Sequence, residues 1–137
     1  MSSVIIDTSV WAQYFRIPAS PEGAEVRRLL EAGEAGEAVM VRIVYAELLR
    51  GARDDGQFTT LEEELDAVPF VDATRTTWSL AERILADLRR QGAVIPLADA
   101  AIVAVALENG FRVFTNDQHF QRISGLRLYE PDGGTGV

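Results

Sequence analysis

The sequence predicts one α/β domain with a mainly parallel β-sheet. Short apolar runs alternate along the chain with longer segments of helical periodicity, which is the pattern of α/β proteins. The chain has 137 residues, a usual length for one domain, and 47% of them are hydrophobic, which is enough to build a core. No linker rich in proline or serine divides it. We therefore expect one domain over 1–131 and a flexible tail over 132–137.

The strands are predicted from short apolar runs. The first runs from Val4 to Ile6 and leads directly into Asp7. Further strands are predicted at 38–41, 69–72, 112–115 and 126–130. The alternation with helices indicates parallel strands but does not fix their order in the sheet.

Helices are predicted between the strands from apolar spacing and from capping residues at their ends. Their expected positions are 9–15, a helix from residue 21, 42–50, 57–67, a helix from 76 or 77 to 92, and 97–109. Ser20 before Pro21 is a helix-start signal. Gly51 and Gly110 are expected to end the helices that precede them. One face of the fifth helix is expected to carry Trp78, Ala81, Leu85 and Leu88.

Composition limits the classes of function. There is no cysteine, which excludes disulfides and thiolate metal sites. The net charge of −8 argues against a broadly basic nucleic-acid-binding surface, although it does not exclude a local one. No signal peptide is evident, and no apolar segment is long enough to span a bilayer. A cytoplasmic protein without membrane contact is therefore expected.

Two acidic residues follow predicted strands, at the edge of the sheet where α/β proteins bind ligands. Asp7 comes directly after the first strand, and Asp117 follows the strand that ends at Thr115. If both strands run parallel, both carboxylates lie at the same edge. Each of them could instead cap the short helix that follows it.

Two further acids lie on predicted helices. Asp99 is the only charged residue between Arg90 and Glu108, and its segment is apolar on nearly every side. Its carboxylate therefore needs a partner, which could be the helix N-terminus or a bound cation. Glu47 could face solvent or pair with Arg50 on the same helix.

Brought into one pocket, these four carboxylates would raise one another's pKa values through repulsion, and a cation would relieve that repulsion. Hard divalent ions such as Mg²⁺ and Mn²⁺ prefer oxygen ligands. Such ions could orient a water molecule and stabilise an in-line displacement at phosphorus.

Four motifs resemble those of PIN domains, and among them the VapC-type toxins of bacterial toxin–antitoxin pairs: DTSVW, AELLRG, LADAAIVAVALENG and FTNDQHF. The resemblance covers the chain from Val4 to about Tyr129. It implies a PIN-like fold, in which helices sandwich a small parallel sheet, and metal-dependent endoribonuclease activity. It also implies an RNA substrate, a VapB-type antitoxin and a homodimer.

Carried over residue by residue, the resemblance assigns the family's acids to Asp7, Glu47, Asp99 and Asp117. These are candidate catalytic residues and candidate ligands of Mg²⁺ or Mn²⁺, and Thr115 matches a hydroxyl that commonly supports the pocket. Many relatives carry a further acid where this chain has His119, its only histidine. We expect His119 to be exposed and non-catalytic, so that cleavage depends on water activated by the metal.

Other functions are less consistent with the sequence. A phosphoacceptor receiver domain normally has a lysine near its acids, and this chain has no lysine. A haloacid-dehalogenase-type phosphatase would have D-x-D after the first strand, where this chain has Asp7-Thr8-Ser9. A non-catalytic PIN-like interaction module is the main alternative.

Two groups of residues have two interpretations each. The aromatic residues of the first helix could form part of a partner-binding surface, although core packing is preferred: Trp11, Tyr14 and Phe15. Three arginines could line an RNA path near the acids, or could be solvated or cap helices: Arg16, Arg50 and Arg53.

Overall fold

The computed structural model describes residues 3–32 and 37–131, and at its centre is a five-stranded sheet in the order β3-β2-β1-β4-β5. The strands are β1 (Val4–Ile6), β2 (Ala38–Val41), β3 (Phe70–Val71), β4 (Arg112–Phe114) and β5 (Arg127–Leu128). All four pairings are parallel, which confirms the predicted fold class. The two edge strands are shorter than predicted. The predicted tail at 132–137 lies outside the described residues.

Six helices cover the sheet in the described part of the chain, and all six were predicted with small differences at their ends. They are α1 (Thr8–Arg16), α2 (Pro21–Glu31), α3 (Arg42–Arg50), α4 (Asp55–Asp66), α5 (Arg75–Arg90) and α6 (Leu97–Asn109). A short 3₁₀ turn, Gln118–Arg122, follows β4. Within the described ranges, no helix has the length and apolar character needed to cross a membrane.

The central strand β1 sets the position of the residues that follow it. All three of its side chains are apolar and buried, so it lies inside the sheet with β2 on one side and β4 on the other. Ile6 is in register with Phe114, the last residue of β4. Because the two strands are parallel and end together, Asp7 and Thr115 emerge next to each other at one edge.

Helix α6 is buried along most of its length, as its apolar sequence predicted. Seven consecutive residues, 100–106, are buried. Ile102 and Val103 pack in the main core, whereas Ala100 and Ala104 pack against Ala81 in a second cluster. The helix therefore fills the space between the sheet and α5, which fixes the position of its first turn.

One local prediction was confirmed with a different geometry, and one was wrong. Gly51 ends α3, as predicted, but with φ −79°, a right-handed conformation that any residue adopts, so a glycine is not required there. Trp78 is 40% exposed, whereas Ala81 and Leu88 of the same helix are buried. The buried face of α5 instead begins at Thr77, whose hydroxyl donates a hydrogen bond to Glu108 on α6 at 2.6 Å.

Gly23→Ala should destabilise the protein, although alanine normally favours a helix. A Cβ at position 23 would lie 2.6 Å from the carbonyl oxygen of Pro18 and 2.8 Å from that of Ile17. Because these are backbone atoms that cannot move aside easily, we expect the free energy of unfolding to fall by about 1–3 kcal/mol in urea titrations.

The matched control for this variant is Gly56→Ala on α4, where the nearest atom would be a side-chain oxygen of Asp54 at 3.4 Å. That variant should be neutral or more stable by up to about 1 kcal/mol. Equal effects of the two substitutions would contradict the close approach at Gly23.

Candidate metal centre

Asp7 is buried at the carboxyl end of β1, with 5% of its surface exposed. Its Oδ1 accepts the backbone N–H of Thr8 at 2.8 Å. Its Oδ2 accepts the hydroxyls of Ser9 at 2.9 Å and Thr115 at 2.8 Å. The bond from Thr8 makes Asp7 the N-cap of α1, so the capping interpretation is correct as well. Three donors thus hold this carboxylate in one orientation.

The electrostatic environment of Asp7 favours its neutral form. Burial raises the pKa of the Asp7 carboxyl above its usual value, because the charged form loses its hydration. Hydrogen bonds from Thr115, Ser9 and Thr8 lower this pKa in part, and the negative charge of Asp117 raises it again. An ionised Asp7 therefore costs free energy unless a positive charge lies nearby.

Thr115 joins two of the acids. Its hydroxyl donates to Asp7 and accepts the backbone N–H of Asp117 at 2.9 Å. Asp117 in turn accepts the backbone N–H of His119 at 2.9 Å and caps the 3₁₀ turn. The chain after β4 is thereby folded back toward the end of β1.

Asp99 lies in the first turn of α6 and is partly buried. Burial raises the pKa of its carboxyl, a hydrogen bond with His119 lowers it, and the negative charges of Asp7 and Asp117 raise it further. The charges of Asp7 and Asp117 therefore act on the carboxylate of Asp99. The first turn of a buried helix therefore contributes a third carboxylate to this edge of the sheet.

His119 is exposed, as predicted, but it lies within the site. Its Nδ1 is 3.2 Å from Oδ2 of Asp99 and 3.1 Å from Oδ1 of Asp117. The sequence analysis predicts no role for His119 in the site. Its position two residues after Asp117, on a turn that Asp117 caps, is the signal that could have indicated the contact.

Glu47 is linked to Asp7 through Thr8, the first residue of α1. Its Oε1 accepts the hydroxyl of Thr8 at 2.7 Å, and the backbone N–H of Thr8 donates to Asp7. Glu47 also lines a cleft between α1, α3 and α4, together with Arg16 and Arg53. The structure therefore places two of the three arginines considered for an RNA path beside this acid.

The residues present fit a divalent metal ion. One ligand atom from each of Asp99, Asp117 and His119 lies within 4.8 Å of the other two. Carboxylate oxygens and an imidazole nitrogen are common donors to divalent ions in proteins. A cation would also relieve the repulsion that raises the pKa values of Asp7 and Asp99.

The chain has a parallel sheet with acidic residues at the carboxyl ends of its strands. Comparison with known families identifies the class of protein to which this arrangement belongs. The PIN domain family model matches residues 4–126. The chain therefore belongs to the PIN domain family.

Relatives identify the group within that family. Ribonuclease VapC11 of Mycobacterium tuberculosis and a VapC ribonuclease of Mycobacterium bovis are each 35% identical over 125 residues, covering 90% of this chain and 92% of the relative. DNA-bound VapBC from Salmonella typhimurium is 25% identical to this chain, with a TM-score of 0.76, over 94% of this chain and 98% of that one. The protein is thus a VapC-type PIN domain protein, and the resemblance seen in its motifs is confirmed.

In EDTA, Asp7→Asn should gain stability relative to the wild type as pH rises above 3.8, the usual pKa of aspartate. The folded-state pKa of Asp7 is raised, so the native state binds more protons than the unfolded state and the wild type loses stability through this interval. Asparagine is neutral and its carbonyl oxygen can still accept the N–H of Thr8. Urea unfolding at several pH values measures the difference.

The control for this titration is Asp55→Asn, which removes an exposed carboxylate at the start of α4. Its unfolding is measured over the same pH range, so that the general effect of losing one carboxylate can be subtracted. A stability gain for Asp7→Asn that shrinks with rising pH would contradict the raised pKa.

Proposed function

We propose that this protein is an endoribonuclease that requires Mg²⁺ or Mn²⁺ and serves as the toxin of a VapBC-type toxin–antitoxin pair. The observation that carries the proposal is the set of contacts that brings three acids together: Thr115 bonds to both Asp7 and Asp117, and His119 lies within 3.2 Å of both Asp99 and Asp117. The relatives at 35% identity are named ribonucleases, which supports RNA as the substrate. We also propose that the protein acts in the cytoplasm.

In this proposal, Asp7, Asp99 and Asp117 hold the ion, and Glu47 completes the pocket by ligation, through water, or by orienting the attacking water. When bound, a divalent ion supplies Lewis-acid chemistry, which acidifies water and offsets charge at the phosphate. Asp7 provides a fixed anchor because its hydrogen bonds preset its orientation. Thr115 keeps Asp7 and Asp117 in register through its two hydrogen bonds.

The cleft beside Glu47 is the proposed path for the RNA backbone. Arg16 and Arg53 line it, and a guanidinium group offers a planar pair of donors to phosphate oxygens. A local pair of arginines and a bound cation together would attract a phosphate backbone despite the net charge of −8.

The proposed partners are a VapB-type antitoxin and a second copy of this chain. The Salmonella typhimurium structure contains VapBC bound to DNA, which supports an antitoxin partner for a VapC-type chain. Trp11 is buried in the core, whereas Tyr14 and Phe15 are partly exposed and stay available for a partner surface. We further propose that residues 1–131 form one domain.

Asp99→Asn should reduce cleavage of a labelled single-stranded RNA by at least about 100-fold, because metal catalysis contributes several kcal/mol to the barrier. EDTA should abolish wild-type activity, and added Mn²⁺ or Mg²⁺ should restore it. Asp55→Asn, which removes an exposed carboxylate on α4, should retain full activity.

Cleavage that is equal for the wild type, for Asp99→Asn and in EDTA would reject the proposed enzyme. If the folded wild type bound an antitoxin but showed no metal-dependent cleavage of RNA, the non-catalytic interaction module would be the correct function.

Induced expression of this chain alone in bacterial cells should arrest growth, since uncontrolled RNA cleavage stops translation. Expression of Asp99→Asn at the same level should permit growth, and co-expression of the antitoxin encoded beside it should rescue the wild type. Colony counts after induction measure the effect. Normal growth with abundant folded wild-type protein would argue against a toxin.

A further inference from the structure

We propose that His119 is a nitrogen ligand of the metal ion, and that it makes the site prefer first-row transition ions such as Mn²⁺ or Ni²⁺ over Mg²⁺. The inference rests on the proposed metal-dependent function and goes beyond it by naming a ligand and a selectivity. It assigns a role to a residue that the mechanism above does not use.

The position of the imidazole nitrogen carries the inference. Nδ1 of His119 lies 3.2 Å from an oxygen of Asp99 and 3.1 Å from an oxygen of Asp117. Neighbouring ligands of an octahedral ion at about 2.1 Å are themselves about 3 Å apart. The nitrogen is therefore at the distance of a neighbouring ligand from both oxygens, and one ligand atom from each of the three residues lies within 4.8 Å of the other two.

Residues that precede and follow His119 in the sequence hold it in this position. Its backbone N–H donates to Asp117, which fixes the start of the 3₁₀ turn. The next residue, Phe120, is 2% exposed and anchors the turn in the core. The ring of His119 is thus exposed to solvent but tethered beside the two carboxylates.

The chemistry of the donor set gives the selectivity. Mg²⁺ is a hard ion that prefers oxygen ligands and water, whereas imidazole nitrogen suits transition ions. Replacing one oxygen donor by nitrogen lowers the relative affinity for Mg²⁺. For divalent first-row ions, affinity at such a mixed site should rise from Mn²⁺ to Ni²⁺.

The test uses the fact that the chain contains one histidine. Protein labelled with ¹⁵N-histidine carries the label at a single residue, so pulsed electron paramagnetic resonance of bound Mn²⁺ detects coupling from His119 alone. We expect this coupling in the wild type, whereas His119→Asp, which has no histidine to label, gives the background signal. The latter variant offers an oxygen donor at the same position.

Calorimetric titration of the same proteins measures selectivity without any activity assay. The wild type should bind Mn²⁺ at least about tenfold more tightly than Mg²⁺, and His119→Asp should reduce that ratio by about tenfold. Gln121→Asp is the matched control, because it adds the same charge at an exposed position of the same turn. It should keep both the coupling and the ratio, and thermal unfolding should show that each variant is folded.

Two results would overturn the inference, and they differ in what else they reject. Tight binding of Mn²⁺ without ¹⁵N coupling, and with an unchanged Mn²⁺ to Mg²⁺ ratio in His119→Asp, would make His119 only a hydrogen-bond partner of the acids. The proposed metal site would then stand. If the folded wild type binds neither ion, the inference and the metal-dependent function fail together.

Discussion

The hydrogen-bonded burial of one carboxylate, that of Asp7, is the constraint on which the site depends. Removing a charge from water at the end of the central strand is expensive, and the donors from Thr8, Ser9 and Thr115 offset only part of that cost. The same bonds that reduce the cost also fix the carboxylate and cap α1. The carboxylate of Asp7 therefore both stabilises the start of α1 and is oriented to bind a cation.

The fold places the other acidic residues beside Asp7 and leaves them little freedom to move. Parallel pairing of β1 with β4 brings Asp117 to the edge where Asp7 emerges, because Thr115 and Asp7 follow strands that end in register. Helix α6 is enclosed by the sheet and α5, so Asp99 in its first turn cannot shift without disturbing the core. The acidic side chains are therefore held in place by packing at some distance from the site. This packing offsets the free energy that is needed to hold like charges close together.

The sequence predicted those parts of the structure that follow from local pattern. Strand ends placed Asp7 and Asp117 at a shared edge, and the apolar run around Asp99 indicated a buried helix with one acid. What could not be predicted depends on contacts between distant segments. The link from Glu47 to Thr8 spans 39 residues, and the contacts of His119 require a 3₁₀ turn that periodicity does not reveal. Trp78 was misplaced because α5 buries a face that starts one residue earlier.

The distance in sequence between Asp7 and Asp117 has a consequence for synthesis of the protein in the cell. Asp7 is made early, but β1 reaches its full pairing only when β4 has been translated, and Asp117 follows β4. A growing polypeptide that lacks these later residues has no assembled cation pocket. The proposed nuclease therefore stays inert while most of it is still being translated, which spares the messenger and the ribosome that produce it.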